Sequence, residues 1–189
     1  MRLYHSLVRS HVCVCSQVWA PQSTVNTLFL VEGIQRRASR FMVGKGSELS
    51  YRDRLIKLRL LPLNYWFEYL DLVFFYKCLD NMVDFTFESD HYFSFVQGCM
   101  RRANAAHCVE TNYARTSLFR DYFFNRIVII WNGIPEDIKV ANTLCSFKCQ
   151  LKSFYFKQLY NVFDGDNVRS FKIICAKCHR VNILKACSC

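Results

Sequence analysis

Residues 63–79 read LNYWFEYLDLVFFYKCL. Apolar side chains occur at almost every position of this stretch, so a helix built from it has no broad polar face. A helix that is apolar on all sides is buried in the middle of its domain. The preceding Leu61-Pro62 interrupts the chain, because proline breaks a helix interior. The sequence therefore predicts a central helix over about residues 63–79.

Apolar residues also recur at helical spacing in two segments before this helix. The stripe in about residues 2–19 consists of Leu3, Leu7, Val14 and Val18. The stripe in about residues 25–42 consists of Leu30, Ile34, Ala38 and Phe41. Since the apolar stripe of an amphipathic helix normally faces the core, we expect both stripes to be buried.

Capping residues place three further helices. Ser50 precedes a short helix over residues 51–58, and its side chain is a preferred N-cap. Pro135-Glu136-Asp137 has the proline and the acidic residues that favour a helix start. Asn142 or Thr143 is the expected cap of a last helix over about residues 144–160. Residues 81–117 show no clear period.

The composition agrees with a helical protein. Apolar residues make up 52% of the 189 residues, while six glycines and three prolines are too few for a turn-rich all-β domain. The predicted fold is mainly α, a helical bundle around the buried central helix with a small Cys-rich C-terminal tail. We expect a helical region over residues 1–80, a helical extension packed on it over 81–162, and the tail over 163–189.

Positive charge is concentrated in two regions. The formal net charge is +10. Residues 36–59 carry eight Lys or Arg against two acids, and residues 139–189 carry nine against two, whereas residues 61–90 carry one against six. Basic regions attract polyanions because binding releases counterions, which favours nucleic acid first and an anionic membrane surface second.

The eleven cysteines do not indicate a secreted disulfide scaffold. The N-terminal residues lack the apolar region of a signal peptide, and no apolar run approaches the roughly 18 residues of a membrane span. We therefore expect a reducing, intracellular location, mostly free thiols and no membrane partner.

The tail contains a candidate metal site. Its four cysteines are Cys175, Cys178, Cys187 and Cys189, and His179 is a substitute ligand. Four thiolates can hold a tetrahedral zinc ion, although the last pair is separated by one residue instead of two. The alternative is a flexible tail with free thiols. Cys178-His179 also completes a Cys-x-x-Cys-His haem-attachment sequence, which has no supporting haem-domain pattern here.

Four stretches resemble the C-terminal region of non-LTR (LINE-type) retrotransposon reverse transcriptases, of the jockey and chicken-repeat kind. They occur in the order of that family and cover nearly the whole chain. The stretches are residues 4–11 (YHSLVRSH) with 16–21 (SQVWAP), 34–41 (IQRRASRF), 50–55 (SYRDRL) with 60–63 (LLPL) and 69–79 (YLDLVFFYKCL), and 131–135 (WNGIP) with 146–148 (SFK) and Leu151. The chain departs from the family at Trp66-Phe67, where two arginines are usual, and at Ile134, where leucine is usual.

The resemblance implies a thumb-like region in residues 1–80 that holds a template–primer duplex behind a catalytic palm. The family's catalytic Tyr-x-Asp-Asp motif lies upstream, and this chain contains no Asp-Asp pair. We therefore expect no catalytic residues and no polymerase activity in the isolated chain. The implied partners are RNA and DNA, bound with weak sequence preference, and the upstream catalytic part of the polyprotein, in a nuclear or cytoplasmic ribonucleoprotein.

The basic helices supply the candidate nucleic-acid contacts. The candidate residues are Arg36, Arg37, Arg40, Lys45, Arg52, Lys148 and Lys152. Residues three or four apart share a helix face, so the three arginines of residues 36–40 can follow one phosphate strand. The alternative for these charges is a solvated helix face. The alternatives for the whole chain are a basic helical protein-interaction module and a truncated relic of an element without function.

Trp131 and Trp19 are aromatic residues that could stack on bases. Both fall within apolar helical patterns, which favours packing in the core instead.

Overall fold

A computed structural model describes residues 2–20, 25–44, 46, 48–80, 82–83, 107–110, 113–162, 173–174 and 181–182. The described part of the chain is mainly helical, which confirms the predicted fold class. The helices are a π-helical segment Tyr4–Arg9, α1 (Ser10–Cys13), α2 (Ser16–Trp19), α3 (Val25–Val43), α4 (Tyr51–Leu58), α5 (Leu63–Leu79), α6 (Ser117–Asp121), α7 (Phe123–Asn132), α8 (Glu136–Lys139) and α9 (Leu144–Val162). Two short antiparallel strands, β1 (Ile173–Ile174) and β2 (Val181–Asn182), pair in the tail.

The central helix α5 has the bounds that its sequence predicts. Phe67, Leu72 and Phe75 are fully buried along its length. Asp71 is also fully buried, which the apolar pattern alone did not indicate.

Side-chain caps fix several helix ends as predicted. The Ser50 hydroxyl accepts a hydrogen bond from the Asp53 backbone N–H at 3.2 Å and begins α4. The Thr143 hydroxyl accepts one from the Ser146 N–H at 3.2 Å and begins α9. Gly44 ends α3 with a φ of 103°, a left-handed conformation that glycine adopts without strain.

The first predicted helix is broken into three pieces. The π-helical segment is followed by α1 and α2, and Cys15 between them has a left-handed φ of 50°. In this segment the buried residues are Tyr4, Arg9 and Ser16. The predicted stripe of Leu3, Leu7, Val14 and Val18 is exposed, so the expectation that it faces the core is wrong. The inward positions are occupied instead by Tyr4, which donates a hydrogen bond to Gln35, by Arg9, which lies over the Trp66 ring, and by Ser16.

The chain groups into two compact units. The first comprises Met1–Phe67 with Phe154–Cys189, and the second comprises Glu68–Ser153. These boundaries fall inside α5 and α9, whereas the sequence suggested boundaries near residues 80 and 162.

The first unit contains two small apolar clusters. One cluster is formed by Tyr4, Tyr51, Leu55 and Leu60, with partly buried residues from α3 packed against it. The other is formed by Ala20, Leu63 and Phe67. Val31 of α3 packs on the second cluster, and Ala38 and Met42 pack on the first.

The second unit has an aromatic core. Trp131 is 2% exposed, and its ring centroid lies 5.2 Å from that of Phe75 and 6.1 Å from that of Phe147. Phe147 also stacks on Tyr76 with a centroid distance of 4.3 Å. Large aromatic side chains bury the most apolar area per residue, so this cluster is the main stabilising element of the unit.

Candidate nucleic-acid interface

Helix α3 presents basic and apolar side chains to solvent together. Arg37 and Arg40 are exposed. Three of the four residues in the predicted apolar stripe are exposed beside them: Leu30 by 71%, Ile34 by 43% and Phe41 by 80%. The prediction that this stripe is buried is therefore wrong for these three residues, and the outer face of α3 is both cationic and apolar.

The inner face of α3 is polar, which explains the inversion. Gln35 and Ser39 are fully buried. The Gln35 amide accepts a hydrogen bond from the Tyr4 hydroxyl at 2.8 Å and donates one to the Leu61 carbonyl at 3.0 Å. Buried polar groups are tolerated where such partners exist. These bonds fix which side of α3 faces the unit, so Leu30, Ile34 and Phe41 are turned outward.

Glu32 extends this network to the start of the central helix. Its carboxylate accepts a hydrogen bond from the backbone N–H of Leu63, the first residue of α5, at 2.8 Å, and another from the Tyr51 hydroxyl. The first N–H groups of a helix have no partner within it, and the positive end of the helix favours an anion. Glu32 therefore caps α5 from α3. Burial raises the pKa of this carboxyl.

We expect Glu32→Gln to gain stability relative to the wild-type chain as the pH rises. The folded-state pKa of Glu32 lies above its ordinary value of 4.5, so the favourable contribution of the protonated carboxyl is present below that value and is lost at higher pH. Glutamine keeps the size of the side chain and does not ionise. Urea unfolding at a series of pH values measures the difference between the two free energies of unfolding.

The matched control for this experiment is Glu48→Gln, which removes an exposed carboxylate. Because this side chain is exposed, the substitution should change the free energy of unfolding by less than about 0.5 kcal/mol. If the difference in free energy of unfolding between Glu32→Gln and wild type stayed constant with pH, the pKa of the Glu32 carboxyl would not be raised in the folded chain.

Arg36 differs from the two exposed arginines. Its side chain is partly buried, and its guanidinium carbon lies 5.5 Å from the ring centroid of Phe29 and 4.8 Å from that of Tyr51. Such cation–π contacts hold a guanidinium against aromatic faces. The three predicted arginines therefore do not form one equivalent row: Arg37 and Arg40 present their charges to solvent, whereas Arg36 packs between two rings.

The other residues predicted to contact nucleic acid are not part of α3. Arg52 is partly exposed on α4 in the first unit, and Lys45 lies outside the described residues. Lys148 is partly exposed and Lys152 is exposed on the part of α9 that belongs to the second unit. Among the described candidates, the two that are exposed on one helix of the first unit are Arg37 and Arg40 of α3.

Two buried charged groups were not anticipated from the sequence. Arg9 is 6% exposed in the first unit, and its guanidinium carbon lies 3.7 Å from the ring centroid of Trp66. Its burial lowers the pKa of the guanidinium. In the second unit, Asp71 Oδ2 accepts a hydrogen bond from Arg126 Nη2 at 3.1 Å. The pKa of Asp71 is raised to about 6, because burial outweighs the effect of Arg126.

The 131–135 stretch has a structural role in the second unit. The Trp131 indole N–H donates to the His107 carbonyl at 2.9 Å. The Asn132 side chain accepts from the Val109 N–H at 3.0 Å and donates to the Val109 carbonyl at 2.8 Å, as a neighbouring strand would. The interpretation of Trp131 as a core residue is confirmed, while Trp19 is 41% exposed.

The proposed zinc ligands of the tail, Cys175, Cys178, His179, Cys187 and Cys189, lie outside the described residues. Within the described ranges, no group of three or more His, Cys, Asp or Glu side chains could hold a metal ion. Six cysteines in those ranges are not part of a disulfide: Cys13, Cys15, Cys78, Cys108, Cys145 and Cys149.

Over the same part of the chain, no helix combines the length and the apolar character needed to cross a bilayer. Comparison of the chain with protein-family models, with curated proteins and with solved structures found no match.

Proposed function

We propose that the chain is a non-catalytic nucleic-acid-binding segment that resembles the thumb and C-terminal extension of a non-LTR retrotransposon reverse transcriptase. The observation that supports the proposal most directly is the charge of α3. Arg37 and Arg40 are exposed, and Glu32, the one acid among residues 25–43, is partly buried and holds the Leu63 N–H and the Tyr51 hydroxyl. Two cations without a neighbouring exposed anion on their helix favour contact with phosphates.

In this proposal the chain holds RNA or DNA with little sequence preference. The upstream catalytic part of the polyprotein supplies the two-metal chemistry of nucleotide transfer, and the complex is a nuclear or cytoplasmic ribonucleoprotein. A zinc ion in the tail would add a small ordered knuckle to the basic C-terminal region.

A second function is a protein-interaction module. It is favoured by the exposed apolar residues of the first segment, since contiguous exposed apolar surface marks interaction sites. Leu3, Leu7 and Val18 are 73%, 61% and 85% exposed. The two functions are compatible if this segment contacts a protein while α3 contacts nucleic acid.

We expect Arg37→Ala/Arg40→Ala to weaken nucleic-acid binding and to reduce its salt dependence. Each phosphate contact adds about 0.9 to the slope of log K against log salt on duplex DNA, so the slope should fall by up to about 1.8. Fluorescence anisotropy of a labelled duplex, titrated at several salt concentrations, gives both the affinity and the slope.

The control variant is Arg2→Ala/Arg115→Ala, which removes the same number of exposed positive charges from residues that are not part of α3. Equal slopes for the two double variants would mean that α3 contributes only general positive charge. No measurable binding of wild-type chain to duplex or single strand at low salt would reject the proposed function.

A further inference from the structure

One row of side chains on the outer face of α3 contains a cation among three apolar residues. Arg37 lies three residues after Ile34 and four residues before Phe41, so the three side chains share one face. At a rise of about 1.5 Å per residue, Arg37 lies about 4.5 Å beyond Ile34 and about 6 Å before Phe41 along the axis. Leu30 continues the row one turn before Ile34.

This arrangement restricts the chemistry of the occupant. A partner helix packs best against a continuous apolar seam, and a charged residue at a central seam position must be desolvated. A membrane-bound helix likewise inserts a continuous apolar face and keeps its cations on the polar side. In α3 Arg37 interrupts the apolar row between Ile34 and Phe41, and the second cation, Arg40, lies one turn further along the helix.

A single-stranded nucleic acid fits a surface that combines exposed cations with exposed apolar and aromatic side chains. Its phosphates and its unpaired bases alternate along the strand, and proteins bind it by combining cationic grooves with apolar and aromatic surfaces on which bases stack. Phe41 is 80% exposed, so its ring face is accessible to a base. In a duplex the bases already stack on one another, and a ring on a helix surface has no free base face to contact.

We infer that the outer face of α3 binds unpaired nucleotides, with a base stacked on Phe41 and phosphates paired with Arg37 and Arg40. Leu30 and Ile34 provide apolar contact for the neighbouring bases. This inference rests on the proposed function and makes it more specific: the ligand of this face is a single-stranded segment of RNA or DNA, such as the unpaired strand beside a duplex.

The test compares three labelled probes on the full chain. The probes are an oligothymidine of about 16 nucleotides, an abasic strand of the same length, and a duplex of the same length. Phe41→Ala should lower the affinity for oligothymidine by about tenfold, since one stacked base is worth roughly 1–3 kcal/mol. Its affinity for the abasic strand and the duplex should change less than twofold, and its salt slope on oligothymidine should be unchanged.

Two further variants sharpen the test. Phe41→Trp should retain the affinity for oligothymidine, because indole stacks as well as phenyl. Tyr113→Ala removes an 89% exposed aromatic residue of the second unit and should have no effect on any probe. Phe41→Ala is expected to fold normally, since the ring is outside the core.

The inference is overturned if Phe41→Ala binds oligothymidine as wild type does, or if it weakens all three probes equally. In either case, the proposed function would stand if the wild-type chain bound the duplex with the salt dependence that phosphate contacts produce. Binding of wild-type chain to phosphatidylserine vesicles, lost in Phe41→Ala, together with no binding of oligothymidine, would assign this face to a membrane instead.

Discussion

Trp131→Ala is expected to lower the free energy of unfolding by about 3–5 kcal/mol, as large-to-small replacements of buried aromatic residues do. The indole is 2% exposed and contacts the rings of Phe75 and Phe147, so its removal leaves a cavity in the aromatic core. It also removes the hydrogen bond to the His107 carbonyl. Urea unfolding followed by far-ultraviolet circular dichroism measures the loss.

Trp131→Phe separates the two contributions. It keeps an aromatic ring but lacks the indole N–H. The free energy of unfolding should therefore fall by only about 1–3 kcal/mol, because the His107 carbonyl loses its donor and the ring is smaller. Tyr113→Ala, at an exposed position of the same unit, should stay within about 0.5 kcal/mol of wild type. If Trp131→Ala reduced nucleic-acid affinity without reducing stability, the residue would be a stacking platform and its interpretation as core would be wrong.

Arg126→Met is expected to destabilise the chain by about 3–5 kcal/mol at neutral pH, because removing one partner of a buried ion pair leaves the other charge uncompensated. Asp71 is fully buried, and its second oxygen, Oδ1, has no hydrogen-bond partner among the described residues. Methionine retains most of the length of the arginine side chain, so the loss of stability is due mainly to the missing positive charge.

The double variant Arg126→Met/Asp71→Leu should recover most of this stability, since a buried ion pair can often be replaced by apolar residues at little cost. A double-mutant cycle with Asp71→Leu isolates the coupling. If the double variant were as unstable as the sum of the two single variants, the pair would not be coupled.

The pH dependence provides an independent check of the same pair. The folded-state pKa of Asp71, about 6, lies above its ordinary value of 3.8. The favourable contribution of this carboxyl is therefore fully present below about pH 3.8 and is lost as the pH rises through about 6. The deficit of Arg126→Met should accordingly be largest above pH 6 and should shrink on acidification, as Asp71 takes up a proton.

The central helix and the helix ends were predictable because their causes are local. The apolar residues of 63–79 surround the helix, so its burial does not depend on which side faces which neighbour. Ser50 and Thr143 act within three residues of themselves. Such short-range determinants are visible in the sequence.

The orientation of α3 was not predictable, because its determinants lie far away in the chain. Gln35 is held by Tyr4 and Leu61, which are 31 and 26 residues distant. Periodicity shows that a helix has an apolar face, but burial of that face is an additional assumption. For the candidate site, the positions of Arg37 and Arg40 on α3 were evident from the sequence, whereas the exposure of Phe41 became evident only from the structure.

One set of residues on α3 holds the helix in place, and a different set forms its outer surface. Glu32 accepts a hydrogen bond from the Leu63 N–H, and Gln35 donates one to the Leu61 carbonyl. These bonds set the rotation of α3 and its position along its axis, because a shift by one helical turn would break both of them. The outward residues therefore need not contribute to folding. Leu30, Ile34, Arg37 and Phe41 therefore form a surface whose residues can be replaced extensively while the helix beneath keeps its position.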